Sequence, residues 1–88
     1  MLRLPEELTH AVANDCLEQL AQGLETEASQ VVVDAQSLQR FDSSALAVLL
    51  EFRRACARAG KTLAVQGMPG RLKDLAALYG IAGLLPSV

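Results

Sequence analysis

The sequence predicts one α/β domain with a largely parallel sheet of about four strands and helices packed against it, and three observations carry that prediction. Two short apolar runs, Val31-Val32-Val33-Asp34 and Thr62-Leu63-Ala64-Val65-Gln66, are bounded by polar or glycine residues, as interior strands are. Three longer stretches repeat apolar residues at helical spacing, so the order reads strand, helix, strand, helix, strand, helix, which right-handed crossovers turn into parallel neighbours. The composition fits: of 88 residues, 51% are hydrophobic but only 3% aromatic, a core of Leu, Val and Ala large enough for one domain spanning residues 1–88 and too small for two.

Each element has its own signal. Leu2-Arg3-Leu4 alternates for three residues and stops at Pro5, which lacks a ladder donor, so the opening is a short strand at most. From Thr9 to Gln22 a helix is expected, with Ala13, Cys16, Leu17, Leu20 and Leu24 on its apolar side, Thr9 as N-cap and Gly23 as its stop. Glu25 to Gln30 is polar and reads as the return loop. Val31 to Asp34 follows as the central strand, expected to be buried on both faces. A second helix runs from about Ser44 to Ala59 and is closed by Gly60. Thr62 to Gln66 is the next strand, ended by Gly67. A third helix then carries Leu72, Leu75, Ala76, Leu78 and Tyr79 to Gly80, and the apolar tail Ile81 to Leu85 lies back on the core before Pro86.

Charge and motif content exclude several functions. A net charge of -2 and a pI near 5.2 offer no basic footprint for a phosphate backbone. The longest unbroken apolar run, Ala45 to Leu50, is far short of the roughly 20 residues that span a bilayer, and no basic-then-apolar signal opens the chain. The protein is therefore expected in the cytoplasm. Cys16 and Cys56 fall on apolar helix stripes without CxxC spacing, which predicts buried reduced thiols. His10 has no nucleophile at motif spacing and sits on a polar face, so it is expected to be solvated. Gly67 to Gly70 is a G-x-x-G without the Lys-Ser/Thr of a phosphate loop. No catalytic constellation, metal set or cofactor motif is present, and the expectation is a protein that is not an enzyme.

The informative stretch is Phe41-Asp42-Ser43-Ser44, which leads into the second helix. There the first turn leaves N–H groups unpaired at the positive end of the dipole. Asp42 and Ser44 suit capping, and Ser43 suits either a cap or an exposed hydroxyl. At 3.6 residues per turn, Ala45, Val48, Leu49, Phe52, Ala55, Cys56 and Ala59 form the core face, while Leu46, Leu50 and Ala57 share a flank with Arg53. That flank reads either as a sticky strip with basic edges or as packing beneath a neighbouring helix.

The residues Val32-Val33-Asp34-Ala35, Phe41-Asp42-Ser43-Ser44-Ala45-Leu46, Gly60-Lys61 before a strand, and Leu75-Ala76-Ala77-Leu78-Tyr79-Gly80-Ile81 resemble the STAS domain family over nearly the whole chain. The family includes anti-sigma-factor antagonists and the small STAS subunit of the Mla phospholipid transporter. Its motif after the central strand, D-S/T-x-G-L, falls here on Asp42 to Leu46, and the resemblance implies that Ser43 is the phospho-acceptor or partner-contact position. Ala45 stands where the family usually has Gly. The N-terminus matches the family's second strand, so the usual first strand is missing and a sheet edge is left for a homodimer or another strand.

Leu2 to Leu8, Leu63 to Gly67 and Leu75 to Tyr79 are most similar to the MlaB-like transporter branch. That resemblance implies a non-catalytic accessory subunit bound to the cytoplasmic ATPase of a phospholipid ABC transporter, peripheral at the inner membrane through that partner and serving outer-membrane lipid asymmetry. Contacts are expected from Ser43, Asp42, Ser44, Leu46, Leu50, Arg53 and Arg54. The alternative is an anti-sigma-factor antagonist switched when a partner kinase, itself an anti-sigma factor, phosphorylates Ser43. A STAS module that binds nucleotide or lipid alone is a third reading.

Overall fold

In the computed structural model, which describes residues 1–88, the chain runs through β1 (Leu2–Arg3), β2 (Glu7–Leu8), a 3-10 turn (His10–Val12) and α1 (Ala13–Gly23). A second 3-10 turn (Leu24–Thr26), β3 (Gln30–Asp34), β4 (Arg40–Phe41) and α2 (Ser44–Arg58) follow. It ends with β5 (Thr62–Gln66), α3 (Gly70–Leu78) and a third 3-10 turn (Ala82–Leu84). The main sheet is parallel, in the order β1-β3-β5, with Leu2 beside Val33, Val31 beside Leu63 and Val33 beside Val65. Ser87 bridges to Val65 in the same sense and adds a residue of fourth strand on the far edge. The order advances one way across the sheet, β1 to β3 to β5 to the tail, as repeated right-handed crossovers require.

Val31, Val33, Leu63 and Val65 project into one core together with Cys16 and Leu20 of α1, Ala45, Leu49 and Phe52 of α2, and Leu72 and Ala76 of α3. All three helices therefore lie on one face of the sheet. Ala64, between Leu63 and Val65, is buried yet stands outside that core. Val32 beside it is only half-buried. This corrects the expectation that the central strand is buried on both faces. The cause is the layering: in a strand, neighbours alternate sides, and the helices cover only one side. Filling that core with Phe52, Leu8, Leu49 and Leu72, all with almost no exposed area, stabilises the fold by about 1.5–3 kcal/mol per side chain.

Most element ends fall where the sequence puts them, and the exceptions have physical causes. Thr9 makes no side-chain cap, and the first helix enters through the His10–Val12 turn before Ala13. Gly23 is the last residue of that helix but not a left-handed stop, since its φ of -80° is ordinary and the chain continues into the 3-10 turn Leu24–Thr26. Gly23 serves contact instead: a Cβ there would lie 2.6 Å from Leu2 Cδ2. The true end is held by Lys61, whose Nζ donates to the carbonyls of Leu24 and Glu27, both at 2.7 Å. The parallel pair β2-β4, Glu7 beside Arg40 and Leu8 beside Phe41, goes unsignalled in the sequence because two residues show no period. Both cysteines are free and buried. Burial raises both thiols above the ordinary range, partly offset at Cys56 by the Lys61 charge, so both stay protonated and inert at neutral pH.

Candidate functional site

The corner between β4 and α2 is built by Asp42. Its Oδ1 accepts from the Ser44 N–H at 2.8 Å and its Oδ2 from the His10 N–H at 3.2 Å, while its carbonyl accepts from Ala45. The carboxylate thus caps α2 and ties that helix to the turn after β2. The Ser44 amide, then the His10 amide, hold its pKa below the usual carboxylate value. Asp42 and Ser44, both expected among the partner contacts, have internal roles here, and Ser44 is half-buried.

Ser43 stands apart. It is exposed, helical at φ -62° and ψ -16°, and its hydroxyl makes no capping bond, while its carbonyl accepts from Leu46 and Ala47. A free hydroxyl is therefore presented at the first turn of a 15-residue helix whose first turn holds no acidic residue. Ala45, where the family motif has glycine, is fully buried, and no non-glycine residue has positive φ. The alanine fits because the position is ordinary helix.

Down the outer side of α2, Ala47, Arg53, Arg54 and Ala57 are exposed and Leu50 is half-buried. Arg54 pairs with Glu51 at 2.5 Å, one helical turn back, an exposed pair of small energetic value. Arg53 has no ion-pair partner. Leu46 is the correction: it is 2% exposed and belongs to the core, so it is not a surface contact. α2 packs against α1 as well as against β5, and a helix covered on two sides needs an apolar arc wider than one stripe. Of the seven expected contact residues, Ser43, Leu50, Arg53 and Arg54 share the outer surface, Asp42 and Ser44 form its scaffold, and Leu46 anchors it from below.

One neighbour has no signal in the sequence. Arg71, in the first turn of α3, lies with its guanidinium 5.2 Å from the centre of the Phe41 ring, just before the corner. Residues thirty positions apart meet only because β4 and the start of α3 both come to the carboxyl end of the sheet. Elsewhere Met1, Leu78, Tyr79, Leu84 and Val88 are the large apolar side chains left exposed. The grooves hold about 200–300 Å³ each, no group of His, Cys, Asp and Glu side chains could hold a metal ion, and no helix is long and apolar enough to cross a membrane.

Comparison with protein families matches residues 1–86 to the family described as Mlab, STAS domain. No curated protein matches the chain.

Proposed function

The chain belongs to that STAS domain family, and on this premise we propose that it is a non-catalytic accessory subunit docking on the cytoplasmic ATPase of an Mla-type phospholipid ABC transporter. Through that partner it sits at the inner membrane and supports outer-membrane lipid asymmetry. The observation that supports the reading is the exposed, unbonded Ser43 at the head of a helix whose outer side carries Leu50, Arg53 and Arg54. An apolar and arginine surface beside an exposed hydroxyl suits protein recognition, and the absence of a chemical constellation leaves binding as the activity with support.

The test is co-purification of the ATPase with the chain from its own cell. Ser43→Glu and the pair Leu50→Asp/Arg53→Glu are expected to lose the ATPase while keeping native circular dichroism. Retention of the ATPase by both folded variants rejects the reading. The anti-sigma-factor antagonist is the second reading, and the same free hydroxyl favours it. Phosphate on Ser43 would add about -1.5 to -2 charges at the helix N-terminus. Intact-mass measurement of protein from its own cell, with and without a Ser43→Ala control, decides whether that switch exists.

A further inference from the structure

Charge is divided along the chain with unusual sharpness. Residues 1–39 hold seven carboxylates against one cation, Arg3, whereas residues 40–88 hold seven cations against three carboxylates. The sheet order turns that division into a spatial one: β1 and α1 form one flank, β5 and α3 the other, with α2 between. Asp15, Glu18 and Glu25 are exposed on the first flank, Arg53 and Arg58 are exposed on α2, and Arg71 and Lys73 are exposed on the second flank beside Asp74; none of these four cations is in an ion pair. A net charge of only -2 thus conceals a dipole across a body 29 × 25 × 18 Å in extent.

The positive side is also the side with apolar anchors. Leu50 and Ala57 of α2 lie beside Arg53, and between α2 and the C-terminal segment runs a groove of about 300 Å³ with Arg53 and Ala57 on one wall and Leu84 on the other. Leu84 is 39% exposed. Thr62 and Leu63 of β5 line the groove too, and further along that strand Val65 pairs with the tail through its N–H to the Pro86 carbonyl and its C=O from the Val88 N–H. The matching bond to the Leu63 carbonyl would come from residue 86, and proline has no N–H to give.

We propose that the α2–α3 face, from Ser43 past Arg71 and Arg53 to the Leu84 groove, docks against an acidic protein surface that inserts an apolar side chain, with association steered by charge. The inference rests on the ATPase reading for the identity of the partner and adds the chemistry of its surface. Two features favour protein over lipid: the cations are interleaved with Leu50 and Ala57, and the carboxylates of the α1 flank repel an anionic bilayer.

Stopped-flow association with the co-purified ATPase tests this across ionic strength. The association rate is expected to fall about tenfold from low to high salt, with dissociation nearly unchanged. Arg53→Glu/Arg71→Glu slows association at low salt, whereas Asp15→Lys/Glu18→Lys does not. A salt-independent rate, or equal slowing by the α1 pair, overturns the proposal. So does binding to phosphatidylglycerol vesicles that is lost in Arg53→Glu/Arg71→Glu, which assigns the face to a membrane. Self-association abolished by either charge-reversed pair also overturns it, by assigning the face to a second copy. If no ATPase is captured, the functional reading fails on its own account, and NMR titration with a poly-glutamate peptide still decides the inference. Amide shifts confined to α2, α3 and the Leu84 groove are expected; shifts equally on α1, or none, overturn it.

Discussion

Leu46 and Leu50 are one turn apart on α2, yet they respond to different forces. Leu46 is enclosed among core side chains, so Leu46→Ala is expected to cost about 2–5 kcal/mol, and Leu46→Asp to abolish folding, since a carboxylate there would have no partner. Leu50 is half-buried at the edge of that core, and Leu50→Asp should lower the urea midpoint modestly while leaving the chain folded. Chemical unfolding of the three variants checks the contrast, and similar midpoints for the two aspartate variants would refute it. At Asp42 the readout is pH. Its pKa is lowered in the folded state by the Ser44 and His10 amides, so its contribution is present above the unfolded carboxylate value near 3.9 and fades as pH falls through the lower folded value. Asp42→Asn should therefore lower the melting temperature at neutral pH and narrow the gap to wild type in strong acid.

Two element ends are held by atoms that distant segments supply. After β5 the chain turns at Gly67, whose φ of +68° suits glycine and whose missing Cβ makes room for Gln36, the ideal Cβ position lying 2.2 Å from Gln36 Cγ. Gln36 is itself placed by the turn that Asp34 caps through the Gln36 N–H at 3.0 Å. Gly67→Ala is expected to destabilise by about 1–3 kcal/mol, whereas Gly83→Ala, where nothing lies within 4 Å and φ is ordinary, should be nearly silent. Lys61 closes the end of the 3-10 turn after α1 through two carbonyls. Lys61→Met leaves both without that donor, at a cost of about 1–3 kcal/mol by urea unfolding, and a neutral result would show that solvent replaces it freely.

For the molecule as a whole, the sheet has one covered face and two edges, one at β1 and the other beyond β5, where the tail pairs only at Ser87. A dimer in which two copies pair along the β1 edge would meet over two residues, closed at Pro5 and, in an antiparallel pair, with Leu2 of each copy against Arg3 of the other. Such contact is small, and sedimentation at micromolar concentration is expected to show a monomer. A dimer that dissociates on Arg3→Asp would show instead that the edge is an interface.

The sequence by itself determined the α/β order, the bounds of β5, the close of α2 near Gly60 and of α3 near Gly80, the buried cysteines and the family motif at Asp42 to Leu46. Those signals are local: apolar period, glycine and proline placement, and a capping carboxylate all act within a few residues. Only the tertiary structure decided that Val32 is half-exposed, that Leu46 goes inward, that β2 pairs with β4 and that Arg71 stacks on Phe41. Each depends on which element lies alongside which. A helix flank or a strand face is core or surface according to its neighbour, and a neighbour distant in the chain leaves no period in the sequence.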